Sequence, residues 1–364
     1  ETALSDLFSP MTMAHGPAMK NRFMLAPLTN QQSHPDGRLS DDEFRWLTKR
    51  AEGGFGLTMT CAAHVQAVGQ GFPGQLGVFG DQHLEGLSRL AAAIKAHGSV
   101  SSLQMHHAGN RSPAELVGQA VTASDDPETG ARGLSTGEVE QLVEDFVAAA
   151  VRSEQAGFDG VEIHGAHGYI LAQFLSSEIN RREDRYGGSV ENRARVIHEI
   201  IEGVRARCGP DFQLGLRLSP ERFGLKLAEI LEIAQTIMSG GKIDYLDMSL
   251  WDVFKEPVEE EFKGRSLMSY FTALDRGAVR LGVAGKVTSS AIAAQMLEQG
   301  ADYVLIGRAA ILHYDFPRLA RDPAFTQVPI PVSPEYMRSQ AISPSFIEYL
   351  RTNFKMVEPE AVEA

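Results

Sequence analysis

Eight short apolar runs, separated by stretches with helical periodicity, constrain the fold of this chain more than any other feature. They cover residues 23–28, 57–62, 100–105, 158–164, 212–218, 243–249, 279–283 and 302–307. These lengths suit buried parallel strands. Strand and helix alternating eight times is the pattern of a (β/α)8 TIM barrel, an α/β fold whose sites lie at the carboxyl ends of the strands.

Helix starts support the same alternation. Serine followed three residues later by glutamate, as at Ser40 and Glu43 and again at Ser135 and Glu138, matches a capping box. The second box opens a long pattern with one apolar face, made of Val139, Leu142, Val143, Phe146 and Val147. We interpret these faces as the sides of helices that pack on the barrel.

The chain shows no linker or break in composition, so we expect one domain over residues 1–364 with long βα loops. Two connections, 106–133 and 250–265, are long enough to act as lids over a site. We expect residues 7–20 to close the amino-terminal mouth of the barrel. Residues from about 317 form a tail with one helix near 344–354.

Composition excludes several classes of function. A net charge of −13 and a pI near 5.4 argue against nucleic-acid or anionic-membrane binding, because both require basic faces. Cys61 and Cys208 alone support neither a disulfide framework nor an iron-sulfur cluster. No long apolar run or secretion signal is found, so we expect a soluble, cytoplasmic protein.

The strongest candidate site follows the fourth apolar run. That run delivers His164 to its carboxyl end, and His167 and Tyr169 follow within six residues. Gly165 and Gly168 let the backbone turn sharply, so the three side chains can converge on one small volume. This convergence predicts a catalytic and substrate-binding group.

Three interpretations of this group compete. The two histidines could hold zinc, but no acidic residue lies between them and no cysteine lies nearby to complete a tetrahedral set, so we predict no metal. They could also be ordinary polar loop residues. We favour a pair of imidazole donors that bind one oxygen of a ligand, with Tyr169 as an uncharged acid that keeps its proton at neutral pH.

The last two strands predict an anion site. Ala284, Gly285 and Lys286 follow the seventh run, and Gly307 and Arg308 follow the eighth. In barrels the loops after these two strands commonly bind phosphate through backbone N–H groups and a fixed positive charge. Glycine at strand ends is also common for turn geometry alone, but the two motifs at matching strands together indicate phosphate binding.

Other polar residues fall at strand ends. Arg217 points into the barrel by period-two alternation, where it either meets an anion or forms a buried ion pair with Glu162. Gln104 and Thr29 could bind a heterocycle, or they could simply cap their strands. In the second long loop, Trp251 and Phe254 are candidate substrate walls.

With these residues in order, most of the chain resembles the Old Yellow Enzyme family of FMN-dependent NAD(P)H oxidoreductases. The motifs that carry the resemblance are Asn21 with Arg22 and residues 26–29, 104–109, 164–169 and 186–193. The resemblance implies a barrel that binds FMN without a covalent bond and takes electrons from NAD(P)H. The cofactor-binding residues it implies are Pro27, Leu28, Thr29, Ala62, Gln104, Arg217, Ala284, Gly285, Lys286, Gly307 and Arg308.

The resemblance also implies the reaction of an ene-reductase. The substrate would be an enone or a nitroalkene, whose oxygen accepts hydrogen bonds from His164 and His167. Hydride would pass from flavin N5 to the β-carbon, and Tyr169 would protonate the α-carbon. Arg217 would lie near flavin N1, where a fixed cation favours the reduced, negatively charged ring.

Four departures limit what the resemblance implies. Lys286 stands where many relatives are uncharged, and Thr29 where one branch has cysteine. The tail does not match an ending that sends an arginine into a neighbouring subunit, so we assign no such role to Arg351. Relatives with an iron-sulfur cluster need clustered cysteines, which this chain lacks.

Three alternatives stay open at this stage. A sugar-phosphate aldolase or isomerase would use the same phosphate loops, with Glu162 as the candidate base. A flavin-binding barrel without turnover is the second. A related FMN enzyme that runs as a dehydrogenase or isomerase is the third. The physiological substrate, the choice between NADH and NADPH, and the oligomeric state are open too, although such barrels often form homo-oligomers.

Overall fold

Eight parallel strands close into a barrel in the computed structural model, which describes residues 2–359. The strands are β1 (Phe23–Leu25), β2 (Leu57–His64), β3 (Val100–His106), β4 (Gly160–Gly165), β5 (Gln213–Leu218), β6 (Tyr245–Ser249), β7 (Arg280–Ala284) and β8 (Tyr303–Ile306). Each pairs with its neighbours in chain order. The barrel closes where Phe23 of β1 pairs with Val304 of β8. The predicted TIM barrel is confirmed.

Helices between the strands form the outer layer. They are α1 (Asp41–Glu52), α2 (Leu84–Ala96), α3 (Thr136–Ala156), α4 (Val190–Arg207), α5 (Leu227–Ser239), α6 (Leu267–Thr272) and α7 (Ser290–Glu298). Arg308–Leu312 and Phe316–Leu319 follow β8. The α3 face predicted from the sequence is buried at Val139, Leu142, Phe146 and Val147, which packs this helix on the barrel.

Only one of the two predicted capping boxes is complete. At Ser135 the hydroxyl accepts from the Glu138 N–H, and the Glu138 carboxylate accepts from the Ser135 N–H. At Ser40 the hydroxyl accepts from the Glu43 N–H, but the Glu43 carboxylate turns inward to Asn30, Ser33 and Cys61. The prediction of a full capping box at Ser40 is therefore wrong, because the Glu43 carboxylate makes buried hydrogen bonds instead of accepting from the Ser40 N–H.

The chain termini cover both ends of the barrel. A short helix that precedes α1 covers Thr2–Asp6. The segment after it forms an antiparallel bridge between Met11 and Met19, and both side chains are buried inside the barrel, so the amino-terminal mouth is closed as predicted. The tail contains the predicted helix Pro344–Phe354 and also Pro334–Ser339. The Phe346 ring packs on Trp46 of α1 with 5.1 Å between ring centroids.

The connections on the other side contain short elements rather than plain coil. The first long loop carries Ala114–Val117 and a parallel pair made by Val121–Thr122 and Arg132–Gly133. Ile170–Leu175 begins directly after the histidine turn. Short 3-10 turns lie at Ala67–Gly69, Asp81–His83, Gly109–Arg111 and Glu260–Phe262. No helix within residues 2–359 is long and apolar enough to cross a membrane.

Candidate active site

The carboxyl ends of the strands surround a cavity of about 960 Å³. Of the residues predicted for the site, all except Phe254 line it. They are Pro27, Leu28, Thr29, Ala62, Gln104, His164, His167, Tyr169, Arg217, Trp251, Ala284, Gly285, Lys286, Gly307 and Arg308. The structure therefore brings together residues that follow several different strands, whereas the motif residues Asn21, Arg22 and 186–193 do not line the cavity.

A tight turn after β4 gathers His164, His167 and Tyr169. His167 and Gly168 both have left-handed backbone conformations, with φ of +59° and +72°. A Cβ atom at Gly168 would lie 2.7 Å from the Phe223 ring, so both the conformation and the packing require glycine there. The ring centroids of His164 and Tyr169 are 5.2 Å apart.

The hydrogen bonds around the two histidines run in one direction. The Ala166 N–H donates to Nδ1 of His164 over 3.3 Å, which leaves the proton of this ring on Nε2. The Nε2–H of His164 faces Nδ1 of His167 at 3.3 Å. Nε2 of His167 in turn lies 2.7 Å from the Ser249 hydroxyl. Each imidazole therefore carries its proton on Nε2 and can donate from that atom.

Both imidazoles are uncharged. Burial is the main cause that holds the pKa of His164 well below its ordinary value, and the nearby His167 and Arg217 add to it. Burial does the same for the pKa of His167, with Arg217 and Arg111 as further causes. At neutral pH the pair can hydrogen-bond an oxygen without carrying a charge of its own.

Arg217 is a buried cation without a partner carboxylate. Its side chain lies on β5, the residue is 6% exposed, and Nε has no hydrogen-bond partner among the described residues. The ion pair with Glu162 that the sequence left open is not formed within residues 2–359. Glu162 instead accepts a hydrogen bond from the Gln104 amide over 2.8 Å.

The carboxyl groups beneath Arg217 favour their protonated forms. Burial raises the pKa of Glu162 well above its ordinary value, and Asp247 close by raises it further. Burial also raises the pKa of Asp247, which accepts a hydrogen bond from the Tyr303 hydroxyl. Because neither carboxyl pairs directly with Arg217, its charge stays available to a group in the cavity.

The two loops predicted to bind phosphate have glycines at positions where a ligand would approach the backbone closely. Gly285 has φ +142°, and a Cβ there would lie 2.7 Å from the Trp251 backbone. At Gly307 the nearest atom to a Cβ would be 3.7 Å away on Leu28, so the space on the cavity side is open. The Arg308 guanidinium lies 4.8 Å from the Phe354 ring centroid.

Two predicted residues lie differently from the expectation. Phe254 is 46% exposed and lines a separate depression with Val253 and Met268. Its N–H donates to the Asp252 carboxylate in a local turn, and Phe254 does not line the cavity, so the structure gives its predicted role as a substrate wall no support. Lys286 lines the cavity but its side chain is 62% exposed, with Nζ 3.9 Å from Asp252.

Several cavity residues were missed from the sequence. They come from elements that meet only in the fold and are His106, Arg111, Ser249, Phe223, Tyr349 and Phe354. His106 had a usable signal, since it stands two residues after Gln104 and shares its face of β3. Tyr349 and Phe354 had none, because nothing local shows that the tail helix reaches the cavity.

The residues present fit FMN. A large cavity joins an unpaired buried cation at its floor to two glycine loops and Arg308 at one end. A ring system with an anionic edge and a phosphate needs this combination. A metal would need a cluster of ligating side chains instead. Residues 2–359 contain no group of three or more His, Cys, Asp or Glu side chains placed to hold an ion.

Comparison with known proteins agrees with this geometry. Residues 6–323 match the model of the NADH:flavin oxidoreductase / NADH oxidase family. The probable NADH-dependent flavin oxidoreductase YqiG of Bacillus subtilis is 35% identical over 318 residues, 84% of this chain and 85% of that protein. An NADPH dehydrogenase of Bacillus pumilus is 34% identical over 331 residues, 88% of this chain and 96% of that protein.

Solved structures extend the likeness to three dimensions. The old yellow enzyme homologue from Zymomonas mobilis superposes with a TM-score of 0.78 at 26% identity, over 91% of this chain and 96% of that one. Morphinone reductase in complex with tetrahydroNAD superposes with a TM-score of 0.75 at 29% identity, over 91% and 93%. The chain belongs to the NADH:flavin oxidoreductase / NADH oxidase family and is an FMN-dependent NAD(P)H oxidoreductase of the Old Yellow Enzyme type.

Proposed function

We propose that this protein reduces activated C=C bonds, in α,β-unsaturated carbonyl or nitro compounds, with NAD(P)H as the electron donor. The observation that carries the proposal is the pair of uncharged imidazoles, His164 and His167, beside the phenol of Tyr169 on one wall of the cavity. This set can polarise an oxygen and deliver a proton to the same ligand.

The histidines act on the oxygen of the substrate. A carbonyl or nitro oxygen would accept hydrogen bonds from Nε2–H of His164 and of His167, in place of the bonds that these atoms make to His167 and Ser249. The hydrogen bonds strengthen as negative charge develops on that oxygen, which lowers electron density at the β-carbon. Since both rings are neutral, they stabilise the charge without protonating the oxygen.

Tyr169 completes the addition across the double bond. Its phenol would donate the proton to the α-carbon and recover it from solvent, because the side chain is half-buried at the cavity mouth. Arg111 lies over the Tyr169 ring, with 4.2 Å between its guanidinium carbon and the ring centroid, and donates to the His167 carbonyl. These contacts hold the turn and the phenol together.

Bound FMN supplies the hydride chemistry that connects NAD(P)H oxidation to alkene reduction. Arg217 and Gln104 would bind the polar edge of its ring, and Thr29, Pro27 and Leu28 would line the ring from β1 with Ala62 opposite. Gly285, Gly307 and Arg308 would hold the phosphate, with Ala284 and Lys286 alongside. Trp251 on the second long loop would form a wall for the substrate.

Anaerobic half-reactions with defined compounds test the proposal. The FMN-loaded protein would be reduced with NADPH or NADH and then mixed with 2-cyclohexenone or a nitroalkene, with product analysis. We expect reoxidation of the flavin and formation of the saturated product. A flavin that stays reduced with every alkene would contradict the proposal. Reduction of the oxidised flavin by the saturated compounds would then indicate a dehydrogenase, and no reaction in either direction a binding barrel.

A further inference from the structure

His106 is a buried histidine that the proposed mechanism leaves unused. It is the last residue of β3, is 1% exposed, and contributes to the wall of the active-site cavity. Gln104 on the same strand face already has an assigned role. A buried imidazole beside a catalytic cavity needs an explanation, because burial of an N–H group without a partner is costly.

The neighbouring Gln75 fixes the tautomer of His106. The Gln75 amide oxygen accepts from the Gly71 N–H over 2.7 Å, so its NH2 group points the other way. That NH2 lies 3.1 Å from Nδ1 of His106 and 3.1 Å from the Ala62 carbonyl. Nδ1 is therefore the acceptor, and the proton of His106 is on Nε2.

The Nε2–H of His106 has no hydrogen-bond acceptor in the described part of the chain. Its ring instead meets two rings of the catalytic group edge to face. The centroids are 4.4 Å apart for Tyr169, at 77° between the planes, and 4.9 Å for His164, at 76°. Edge-to-face geometry directs the polar edge of one ring at the electron-rich face of another.

His106 is also uncharged. Burial is the main cause that lowers its pKa well below the ordinary value, and the neighbouring His164 and His107 add to the effect. A neutral ring can pack against Tyr169 and His164 without repelling the nearby Arg111. A charged side chain at the same position would place a second cation next to Arg111.

We propose that His106 is a positioning residue. Through edge-to-face contacts it fixes the ring of the proton donor Tyr169 relative to the ring of the oxygen-binding His164. The proposal rests on the proposed function, since it concerns the residues that deliver the proton and bind the oxygen. It predicts that loss of the His106 ring impairs the alkene half of the reaction. Hydride transfer from NAD(P)H to the flavin needs no proton from Tyr169, so reduction of the flavin should continue.

The test compares His106→Ala with Met105→Ala in the FMN-loaded protein. Met105 is the adjacent β3 residue, is fully buried, and packs in the outer core instead of the cavity, so its truncation is a matched loss of buried volume. For His106→Ala we expect flavin reoxidation by 2-cyclohexenone to slow at least about tenfold, with flavin reduction by NADPH within about twofold of the wild type. For Met105→Ala we expect no change in the ratio of the two rates.

A second readout does not depend on turnover. Titration of the oxidised protein with para-chlorophenol reports ligand binding at the histidine pair, and we expect His106→Ala to weaken it several-fold while Met105→Ala does not. Equal ratios of the half-reaction rates in the two variants would overturn the proposal. If His106→Ala loses FMN, His106→Leu serves in its place. Failure of the wild type to reduce any alkene would instead reject the proposed function.

Discussion

The imidazoles of His164 and His167 are hydrogen-bonded to each other, with 3.3 Å between Nε2 of His164 and Nδ1 of His167. The Ala166 N–H sets the direction of this bond at one end, and the Ser249 hydroxyl accepts at the other. Two donors are thus held on the protein, each with its proton on the atom that a ligand oxygen would use. Under the proposed function, a ligand oxygen would take the place of these two acceptors.

Removal of one of these donors should weaken ligand binding. For His167→Ala we expect the dissociation constant of para-chlorophenol to rise about tenfold, since a hydrogen bond of this kind contributes about 1–1.5 kcal/mol. A spectrophotometric titration measures it. His97→Ala, at an exposed histidine after α2, is the control and should leave the constant unchanged. An unaltered constant in His167→Ala would show that the ligand binds elsewhere.

Removal of the Tyr169 hydroxyl should separate the two half-reactions. Tyr169→Phe keeps the ring and its contact with Arg111 but removes the proton donor. We expect flavin reoxidation by an enone to slow about 100-fold or more, and flavin reduction by NADPH to be nearly unaffected. Stopped-flow absorbance follows both steps. An equal loss in the two steps would contradict the assigned role.

Replacement of Arg217 should affect binding and stability in opposite directions. For Arg217→Met we expect FMN to bind about tenfold to hundredfold more weakly, because hydrogen bonds to a charged group contribute about 1.5–3 kcal/mol. The same change should raise the unfolding midpoint of the FMN-free protein, because it removes a buried charge that has no ion-pair partner.

A matched arginine provides the control. Arg193 is also buried, but it pairs with Glu229 over 2.6 Å, so Arg193→Met should destabilise the protein and leave FMN affinity unchanged. Thermal unfolding of the FMN-free proteins and fluorescence titration with FMN separate the two effects. A drop in the unfolding midpoint of Arg217→Met as large as that of Arg193→Met would show that Arg217 is structural.

Stability should fall as the solution is made acidic. Burial lowers the pKa of His64 to about 4 and that of His107 to about 3, against an ordinary value of 6.5. Below pH 6.5 the unfolded chain binds protons at these sites and the native protein does not, so the free energy of unfolding falls as pH decreases. Each such group contributes up to about 1.4 kcal/mol per pH unit between 6.5 and its native value.

Denaturant unfolding at several pH values checks this expectation. His64→Gln should flatten the slope between pH 6.5 and 4 by about the contribution of one group. A slope that is the same in the variant as in the wild type would show that His64 is protonated in the native state. His64 lies outside the set of cavity-lining residues, so the effect is separable from ligand binding.

Local patterns predicted the fold and the histidine turn, because both depend on short-range physics. All eight apolar runs became strands, and the glycine-flanked turn brought His164, His167 and Tyr169 together. The capping box at Ser40 is incomplete because the Glu43 carboxylate accepts buried hydrogen bonds from Asn30, Ser33 and Cys61. Phe254 was expected beside the cavity but lines a separate depression with Val253 and Met268.

The missed residues share a different cause. Ser249, Arg111 and Tyr349 reach the cavity from the end of β6, the loop after β3 and the tail helix, and only the closed barrel brings these elements together. The choice for Arg217 between an anion and an ion pair with Glu162 also depended on tertiary structure. Glu162 accepts a hydrogen bond from Gln104 and burial raises its pKa, and it forms no ion pair with Arg217 within residues 2–359. Binding of the cofactor by Arg217 stays a prediction.

The visible spectrum of the purified protein, recorded before and after addition of para-chlorophenol, tests most directly whether FMN and the histidine pair share one cavity. We expect a flavin absorption band and, with phenol, a new band at longer wavelength from a phenolate bound by His164 and His167 and stacked on the flavin. A flavin band without the new band would contradict the role of the histidine pair. A protein that stays colourless after incubation with FMN would contradict the account of the site as a whole.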